Sequence, residues 1–283
     1  MHSQPLTAIF LMLLAAAGIA GPAHGEGHGP AFGLATPTLA RGQWSSDTAM
    51  VRIVTQSDDA IVFREMLGYG ITEDLQALLT FPLDRSDEAM LAQTRGGSMM
   101  GNMNEVEASL LWRFHRDATA IGTRRESALL VGISEPVDDR SGDLQAGNGI
   151  HVAAVTGYAS RTVYWWVGAG TQYRFKESGD QLGTLYYLSS VFGWRPPVFQ
   201  RDYPKPDWRL FLEGVAERTE RHRMNGQTMP DSGGEKMLVG PSVLGLYGRW
   251  GVEAGVLWPV AQSQNGSQPE EHYRAKFVFT YWF

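Results

Sequence analysis

Apolar residues recur at every second position in segments of about ten residues, and turn-forming residues separate these segments. In VEASLLWRFH (106–115) every second residue from Val106 to Phe114 is apolar, and the alternate positions are polar apart from Leu111. A period of two is typical of a β-strand with one apolar face. The pattern predicts about twelve strands, and ten or fourteen also fit because some segments alternate less cleanly. The predicted centres are Val51, Phe63, Leu79, Leu110, Leu129, Ala154, Val167, Leu188, Leu212, Val243, Val256 and Phe279.

The connections between the segments alternate between tight turns and long loops rich in Gly, Asn and Asp. The tight turns are predicted at 68–74, 115–118, 158–162 and 247–250, and the long loops at 84–104, 134–149, 221–235 and 261–271. A short connection at 56–59 and a long one at 195–208 depart from the alternation. Bacterial outer-membrane barrels have this asymmetry, with short periplasmic turns and long external loops.

The alternation predicts an all-β fold, a closed antiparallel transmembrane β-barrel. In lipid, strands satisfy all their backbone groups only when the sheet closes. A water-soluble β-sandwich is the alternative, because its sheets also have one face in solvent. Aromatic residues at the ends of apolar faces, such as Trp112, Phe114, Trp250 and Trp258, favour the barrel, since membrane barrels have aromatic girdles.

The N-terminal residues and the composition indicate where the protein acts. Residues 6–20 form an uncharged apolar run, shorter than the ~20 residues that a membrane-spanning helix needs. Ala23 and Gly25 then follow as small residues before a cleavage point. We predict a signal peptide at 1–25, a periplasmic segment at 26–42 and the barrel at 43–283; a buried N-terminal helix is the alternative.

Charge and cysteine content narrow the function further. The net charge of −6 disfavours a nucleic-acid partner. The absence of cysteine excludes a disulfide framework and favours a bacterial envelope over an oxidising secretory pathway. We therefore expect export through the general secretory route to the outer membrane of a Gram-negative cell.

The C-terminal stretch HYRAKFVFTYWF alternates strongly. One face carries the aromatic residues Phe277, Phe279, Tyr281 and Phe283. In water this face would be an aggregation hazard, but in lipid it suits the closing strand of a barrel. The pattern is similar to the signal by which bacterial barrels are recognised for insertion, so we expect the barrel-assembly machinery and outer-membrane lipid as partners.

Several segments resemble a known family, the Gram-negative outer-membrane transporter barrels that include the "meta-pathway of phenol degradation" proteins. They are HGPAFGLATPTL (28–39), GYGITEDLQ (68–76), VTGYASRTVYWWVG (155–168), RPPVFQRDYPKPDWRLFLE (195–213), VGPSVLGLYGRWGVEAG (239–255) and QPEEHYRAKFVFTYWF (268–283). The resemblance implies one outer-membrane barrel domain. It leaves the cargo open between aromatic compounds and metal-related solutes, and it implies no catalytic motif.

Charged residues on the polar faces of the strands are the candidate functional groups, because those faces would line the lumen. We predict inward positions for Glu107, Arg113, His115, Arg124, Glu126, Arg174, Arg209, Glu213, Glu217, Glu253, Arg274 and Lys276. These groups either line an open polar pathway or pair and fill the interior, since twelve strands lie between a filled barrel and a wide porin.

Two other chemistries, metal binding and hydrolysis, have candidate residues in the sequence. Cleavage after Gly25 would place His28 third in the mature chain, where the amine, two amides and the imidazole could hold Cu(II) or Ni(II). Met90, Met99, Met100 and Met103 would suit Cu(I). For hydrolysis, PDSGGE (230–235) lacks the Gly-x-Ser-x-Gly elbow, and His115, His151 and His272 are far apart in sequence.

These patterns predict a passive channel or transporter for a small solute, with no cofactor and no enzymatic activity. Arg and Glu rows in the lumen would set its selectivity, and long outer loops would gate it. A non-conducting structural or metal-handling envelope barrel is the first alternative, and an outer-membrane hydrolase is the second.

Overall fold

The computed structural model describes residues 29–83, 105–137, 140–141, 144–200 and 205–283. Twelve antiparallel strands form a closed barrel in which each strand pairs with its neighbours in the chain and the first pairs with the last. The barrel strands are β1 (Trp44–Thr55), β2 (Asp59–Gly70), β3 (Leu75–Pro82), β4 (Glu105–Ala120), β5 (Thr123–Pro136), β6 (Gly149–Ala159), β7 (Val163–Arg174), β8 (Leu185–Trp194), β9 (Asp207–Thr219), β10 (Gly234–Tyr247), β11 (Trp250–Gln264) and β12 (Glu271–Trp282). The predicted fold is confirmed, and all twelve predicted centres lie in these strands.

The remaining regular structure is small. Two-residue ladders join Arg140–Ser141 to Leu144–Gln145 and Arg223–Met224 to Gln227–Thr228. Pro197–Phe199 forms a turn of 3₁₀ helix. Among the described residues, no helix is long and apolar enough to cross a membrane.

The barrel wall follows the period-two pattern of the sequence. Along β8 every second residue from Leu185 to Gly193 is buried, while the alternate residues are exposed and include Tyr186, Leu188 and Phe192. The buried set faces the interior and the exposed apolar set faces outwards. Because the outward face is apolar on strand after strand, the barrel fits a lipid environment.

The two ends of the barrel differ in their connections. At one end, where β1 begins and β12 ends, the connections of 71–74, 121–122, 160–162 and 248–249 are short, and only 195–206 is long. We call this the turn end and the opposite end the loop end. Most of the predicted turns lie as expected, but the prediction of a turn at 115–118 is wrong. Strand β4 continues to Ala120 through register irregularities, and the turn follows at Ile121 and Gly122.

The segment before the barrel runs inside it. Residues 29–43, here called the strap, precede β1 and contact residues on most of the wall. Ala31, Phe32 and Leu39 are almost completely buried. The prediction of a periplasmic segment at 26–42 is therefore wrong for residues 31–39, because these residues hydrogen-bond inward-facing side chains. His28, the predicted signal peptide and Met90 to Met103 lie outside the described residues.

At the loop end, three connections pack together over the barrel. Leu144, Ala146 and Leu182 form a small buried cluster with Met224 and Met229. The Asp180 carboxylate accepts hydrogen bonds from the backbone N–H groups of Gln145 (3.0 Å) and Asn225 (2.7 Å). One carboxylate thus joins the connections after β5, β7 and β9 into a loop cap.

Candidate functional site

The strap is held at the centre of the lumen by Glu213 of β9. The Glu213 carboxylate accepts hydrogen bonds from three consecutive backbone N–H groups, those of Ala31 (2.9 Å), Phe32 (2.9 Å) and Gly33 (2.6 Å). Ser242 of β10 also donates its hydroxyl to Glu213. Converging N–H groups of this kind form a binding site for an anion, and here the protein supplies that anion from its own wall.

Further hydrogen bonds fix the strap along its length. Lys276 Nζ donates to Ala31 O at 2.6 Å, and Leu39 N donates to Gln76 Oε1 at 2.8 Å. Between these points Thr36 Oγ1 donates to Glu126 Oε2 at 2.8 Å and accepts from Trp166 Nε1 at 3.0 Å. The strap therefore contacts β3, β5, β7, β9 and β12.

The strap also fits closely against the wall. A Cβ atom added at Gly33 would lie 2.3 Å from Val191 Cγ2, and one added at Gly255 would lie 2.7 Å from the Phe32 ring. Such distances leave no room for a side chain at either position. The glycines thus allow the backbone of the strap and the wall of the barrel to approach.

Apolar side chains fill the space around the strap. Phe32 packs in a cluster with Tyr187, Val215, Leu238 and Leu257. Towards the turn end a second cluster contains Tyr164, Trp166, Val191, Phe211 and Leu244. The centroid of the Trp166 ring lies 5.6 Å from that of Tyr164 and 6.4 Å from that of Phe211. The lumen of this conformation is packed at these levels.

A quartet of charged residues, Glu217, Lys236, Glu271 and Arg274, joins β9, β10 and β12 near the loop end. Arg274 makes two hydrogen bonds to Glu217, at 3.0 and 3.1 Å, and two to Glu271, both at 3.0 Å. Lys236 Nζ lies 2.9 Å from Glu271 and 3.4 Å from Glu217. All four side chains are buried, and their formal charges cancel.

Other buried charges are also paired. Arg174 lies 2.6 Å from Glu105, and His151 bridges Glu107 Oε1 (3.3 Å) and the Tyr187 hydroxyl (2.7 Å). Nearer the turn end, Glu126 is bound by Arg113 and Arg124, both at 3.1 Å. The charged wall is built from ion pairs within one strand or between strands one to three places apart in the barrel.

The structure places nearly all the predicted lumen residues on inward positions. They are Glu107, Arg113, Arg124, Glu126, Arg174, Arg209, Glu213, Glu217, Glu253, Arg274 and Lys276. Arg209 lies 3.6 Å from Asp207, and its guanidinium is 5.3 Å from the centre of the Tyr164 ring. The role of the inward-facing charged residues in selectivity stays a prediction.

His115 is the exception. The register of β4 against β5 shifts between Arg113 and His115, so Phe114 is an extra residue in the ladder. His115 is consequently exposed and paired with Ser127, whereas Arg113 is buried and paired with Ala128. The predicted inward position of His115 is wrong because a bulge reverses the alternation after Phe114.

Sequence reasoning missed several residues of the site. Glu105, Lys236 and Glu271 lie where the strands meet polar loops, so the alternating pattern does not mark them as lumen residues. Extending the alternation from Glu107 by one step would have found Glu105. The strap residues carry no alternating signal, and their contacts with Glu213 span about 180 positions in the chain.

Two side chains bear on the hydrolytic alternative. The Ser232 hydroxyl is buried, donates to Met229 O (2.8 Å) and accepts from the His222 backbone N–H (2.9 Å). His222 Nδ1 accepts from Gly183 N at 2.8 Å. Both side chains thus hold backbone groups of the loop cap. Among the described residues, no group of three His, Asp or Glu could hold a metal ion.

Comparison with known proteins agrees with the architecture. No family model and no curated protein matches the chain. The chain is similar to the solved structure of a COG4313 outer membrane channel from Pseudomonas putida F1, with a TM-score of 0.60 and 12% identity over 88% of this chain and 98% of the other. It is also similar to the NanC porin, with a TM-score of 0.50 and 6% identity over 83% and 98%.

These likenesses define a class, the outer-membrane type of closed β-barrel. At such low identities they show the fold alone. Membership of the narrower phenol-degradation group stays a prediction from the sequence.

Proposed function

We propose that the protein is a passive outer-membrane channel for a small solute, held closed by the strap in this conformation. The observation that carries the proposal is the strap itself, which crosses the lumen as a separate segment. The wall charges pair largely with one another, so the barrel keeps most of its ion pairs when the strap leaves. A lumen closed by a separable segment suits a gated pathway.

The outer surface supports the membrane location. Near the turn end Trp112, Trp165, Trp194, Trp208 and Trp250 are exposed on outward positions. Tyr281 packs against Trp250 at 4.4 Å and against Phe283 at 5.0 Å. Aromatic rings prefer the interface between lipid and water, so this girdle supports a turn end in the periplasm and a loop end outside.

Within this proposal, the 1–25 segment directs export through the general secretory route. The aromatic face of β12, with Phe277, Phe279, Tyr281 and Phe283, is the surface offered to the barrel-assembly machinery. These residues are accessible on the outside of the barrel. Crosslinking at Phe277 during assembly would test this contact.

The lining of the lumen favours an aromatic solute within the small-solute class. Tyr164, Trp166 and Phe211 form a ring cluster below the strap, and Arg209 lies over Tyr164. Aromatic rings of a solute would stack on these side chains, and the arginine would attract an acidic group. A metal-related solute finds no comparable support in the described residues.

Planar-bilayer recording tests the channel. We expect small or brief openings from the wild-type protein and long openings after Glu213→Gln, because the weakened anchor frees the strap. Removal of residues 29–40 should give the largest conductance. Glu235→Gln, which alters an exposed ion pair at the loop end, is the matched control.

In an open variant, Arg113→Ala and Arg209→Ala should reduce anion preference, read from the reversal potential in a salt gradient.

The non-conducting envelope barrel remains the second candidate because the ion pairs and apolar clusters fill the lumen. Flat current traces from the strap deletion, in protein that shows the heat-modifiable gel migration of a folded barrel, would contradict the channel and favour this alternative.

A further inference from the structure

Two adjoining cavities lie on the outer surface of β7 to β11, away from the lumen site. The first, of about 650 Å³, is an apolar groove whose outward side chains include Tyr186, Leu188, Ala216 and Met237. The second, of about 790 Å³, is a polar cleft at the loop end of the same strands. Arg218, Glu235 and Ser263 line both cavities, so the groove and the cleft meet.

The groove is shaped by alternating small and large outward residues. Across the sheet Ala169, Leu188, Ala216, Met237 and Ala261 are directly paired in one row. Ala216 leaves a depression between Leu188 and Met237, which project from the wall, and Ala169 and Ala261 lie on either side of this pair. Such a surface accepts an acyl chain, because the outward side of these strands faces lipid.

The cleft carries more positive than negative charge. Arg218, Arg221 and Arg223 line it together with Glu220 and Glu235. Arg218 is paired with Glu235 at 3.4 Å, and Arg221 contacts Asn265 Oδ1 at 3.5 Å. Arg221 and Arg223 make no ion pair with a carboxylate of the described residues. Two arginines beside Thr219 and Thr228 are suited to a phosphate group, which guanidinium groups bind in a fork.

We propose that the groove and the cleft form one binding site for a phosphorylated lipid of the outer leaflet. The acyl chains lie in the groove, and the phosphate contacts Arg221 and Arg223 in the cleft. Only an amphipathic anionic molecule matches both halves, since the apolar part faces the membrane and the basic part begins where the strands leave it. A soluble phosphate would use the cleft alone.

Native mass spectrometry of the folded protein in detergent, titrated with diphosphorylated lipid A, tests the site. We expect one lipid per wild-type barrel and about tenfold weaker binding to R221A/R223A, because two charge-assisted contacts are lost. The double variant R125A/R161A removes the same charge from exposed arginines at the turn end and should bind as the wild type does. Ala216→Trp, which fills the groove, should weaken binding more than Ala108→Trp on the other side of the barrel.

Three outcomes would overturn the proposal. They are equal binding by both double variants, equal binding of lipid A that lacks its phosphates, and complete displacement of the lipid by inorganic phosphate, which would assign the cleft to a free anion. Heat-modifiable gel migration establishes that each variant is folded. If R221A/R223A does not fold, Arg223→Gln alone serves and should still weaken binding.

Discussion

Two groups of buried carboxylates in the lumen differ in what neutralises them. Glu217 and Glu271 face Arg274 and Lys236, so strand is joined to strand by opposite charges. Glu213 faces three backbone N–H groups of the strap and one hydroxyl. The first arrangement involves only side chains of the wall. The second requires the strap, so under the proposed function it is the arrangement that opening would break.

The largest effect is expected from breaking the quartet. Arg274→Met leaves two buried carboxylates facing one lysine, a net buried charge of −1. We expect the free energy of unfolding in urea to fall by about 3–5 kcal/mol, as when one member of a buried ion pair is removed. The double variant R274M/E217M restores neutrality, since Glu271 and Lys236 remain, and should recover much of the loss.

The exposed pair of Arg218 and Glu235 provides the control for the quartet. These side chains are 70% and 64% exposed. Arg218→Met should change stability by no more than about 0.5 kcal/mol. If R274M unfolds at the urea concentration of the wild type, or if the double variant is less stable than R274M, the quartet does not hold the wall as argued.

The same contrast explains what could be predicted from the sequence. The twelve strands were predictable because alternation is a local signal, visible from Val106 to Trp112 without knowledge of neighbouring strands. The same alternation predicts which face of the sheet most of the charged residues occupy. The bulge at Phe114 was not predictable, because one extra residue in a strand does not change the local composition. As a result, the predicted face of His115 and the predicted position of the following turn were both wrong.

The partners of the lumen residues were beyond sequence reasoning for a different reason. Arg274 meets Glu217 because the curvature of the sheet brings β12 near β9, which lies three places away in the barrel order. The strap meets Glu213 across more than half the chain. Such contacts depend on how the strands are ordered and aligned in the barrel. A strap of mixed apolar and polar residues has no periodic pattern that would predict a position inside a barrel.

An intermediate effect is expected where the strap meets the wall. Gly33→Ala places a methyl group 2.3 Å from Val191 Cγ2, so the strap must shift. We expect a local cost of about 1–3 kcal/mol for this overpacking, with faster amide exchange at residues 31–34 and unchanged exchange in β12. Val191→Ala removes the clashing atom, and the double variant G33A/V191A should return towards wild-type exchange.

Gly214→Ala is the matched control, since its added methyl group would meet its nearest atoms only at 3.9 Å. If G33A exchanges no faster than G214A, the strap is not closely fitted and its release needs another explanation. Loss of protection throughout β12 would show instead that the strap supports the wall.

The smallest effect concerns Asp180, which repeats the Glu213 arrangement at the loop end, outside the membrane-spanning strands. Hydrogen bonds from the backbone N–H groups of Asn225 and then Gln145 hold the pKa of Asp180 below its usual value of 3.8. The docked loop cap is therefore fully stabilised by this carboxylate above about pH 4, and it loses that contribution as the pH falls through the lowered pKa.

Because the chain has no cysteine, Thr228→Cys can carry a single spin label in the cap. We expect label mobility to rise on acidification below about pH 4 in the wild type. In Asp180→Asn mobility should already be high and should no longer change with pH. An identical acid transition in both proteins would mean that another group joins the loops, and that backbone N–H groups around a carboxylate need not mark the movable parts of this barrel.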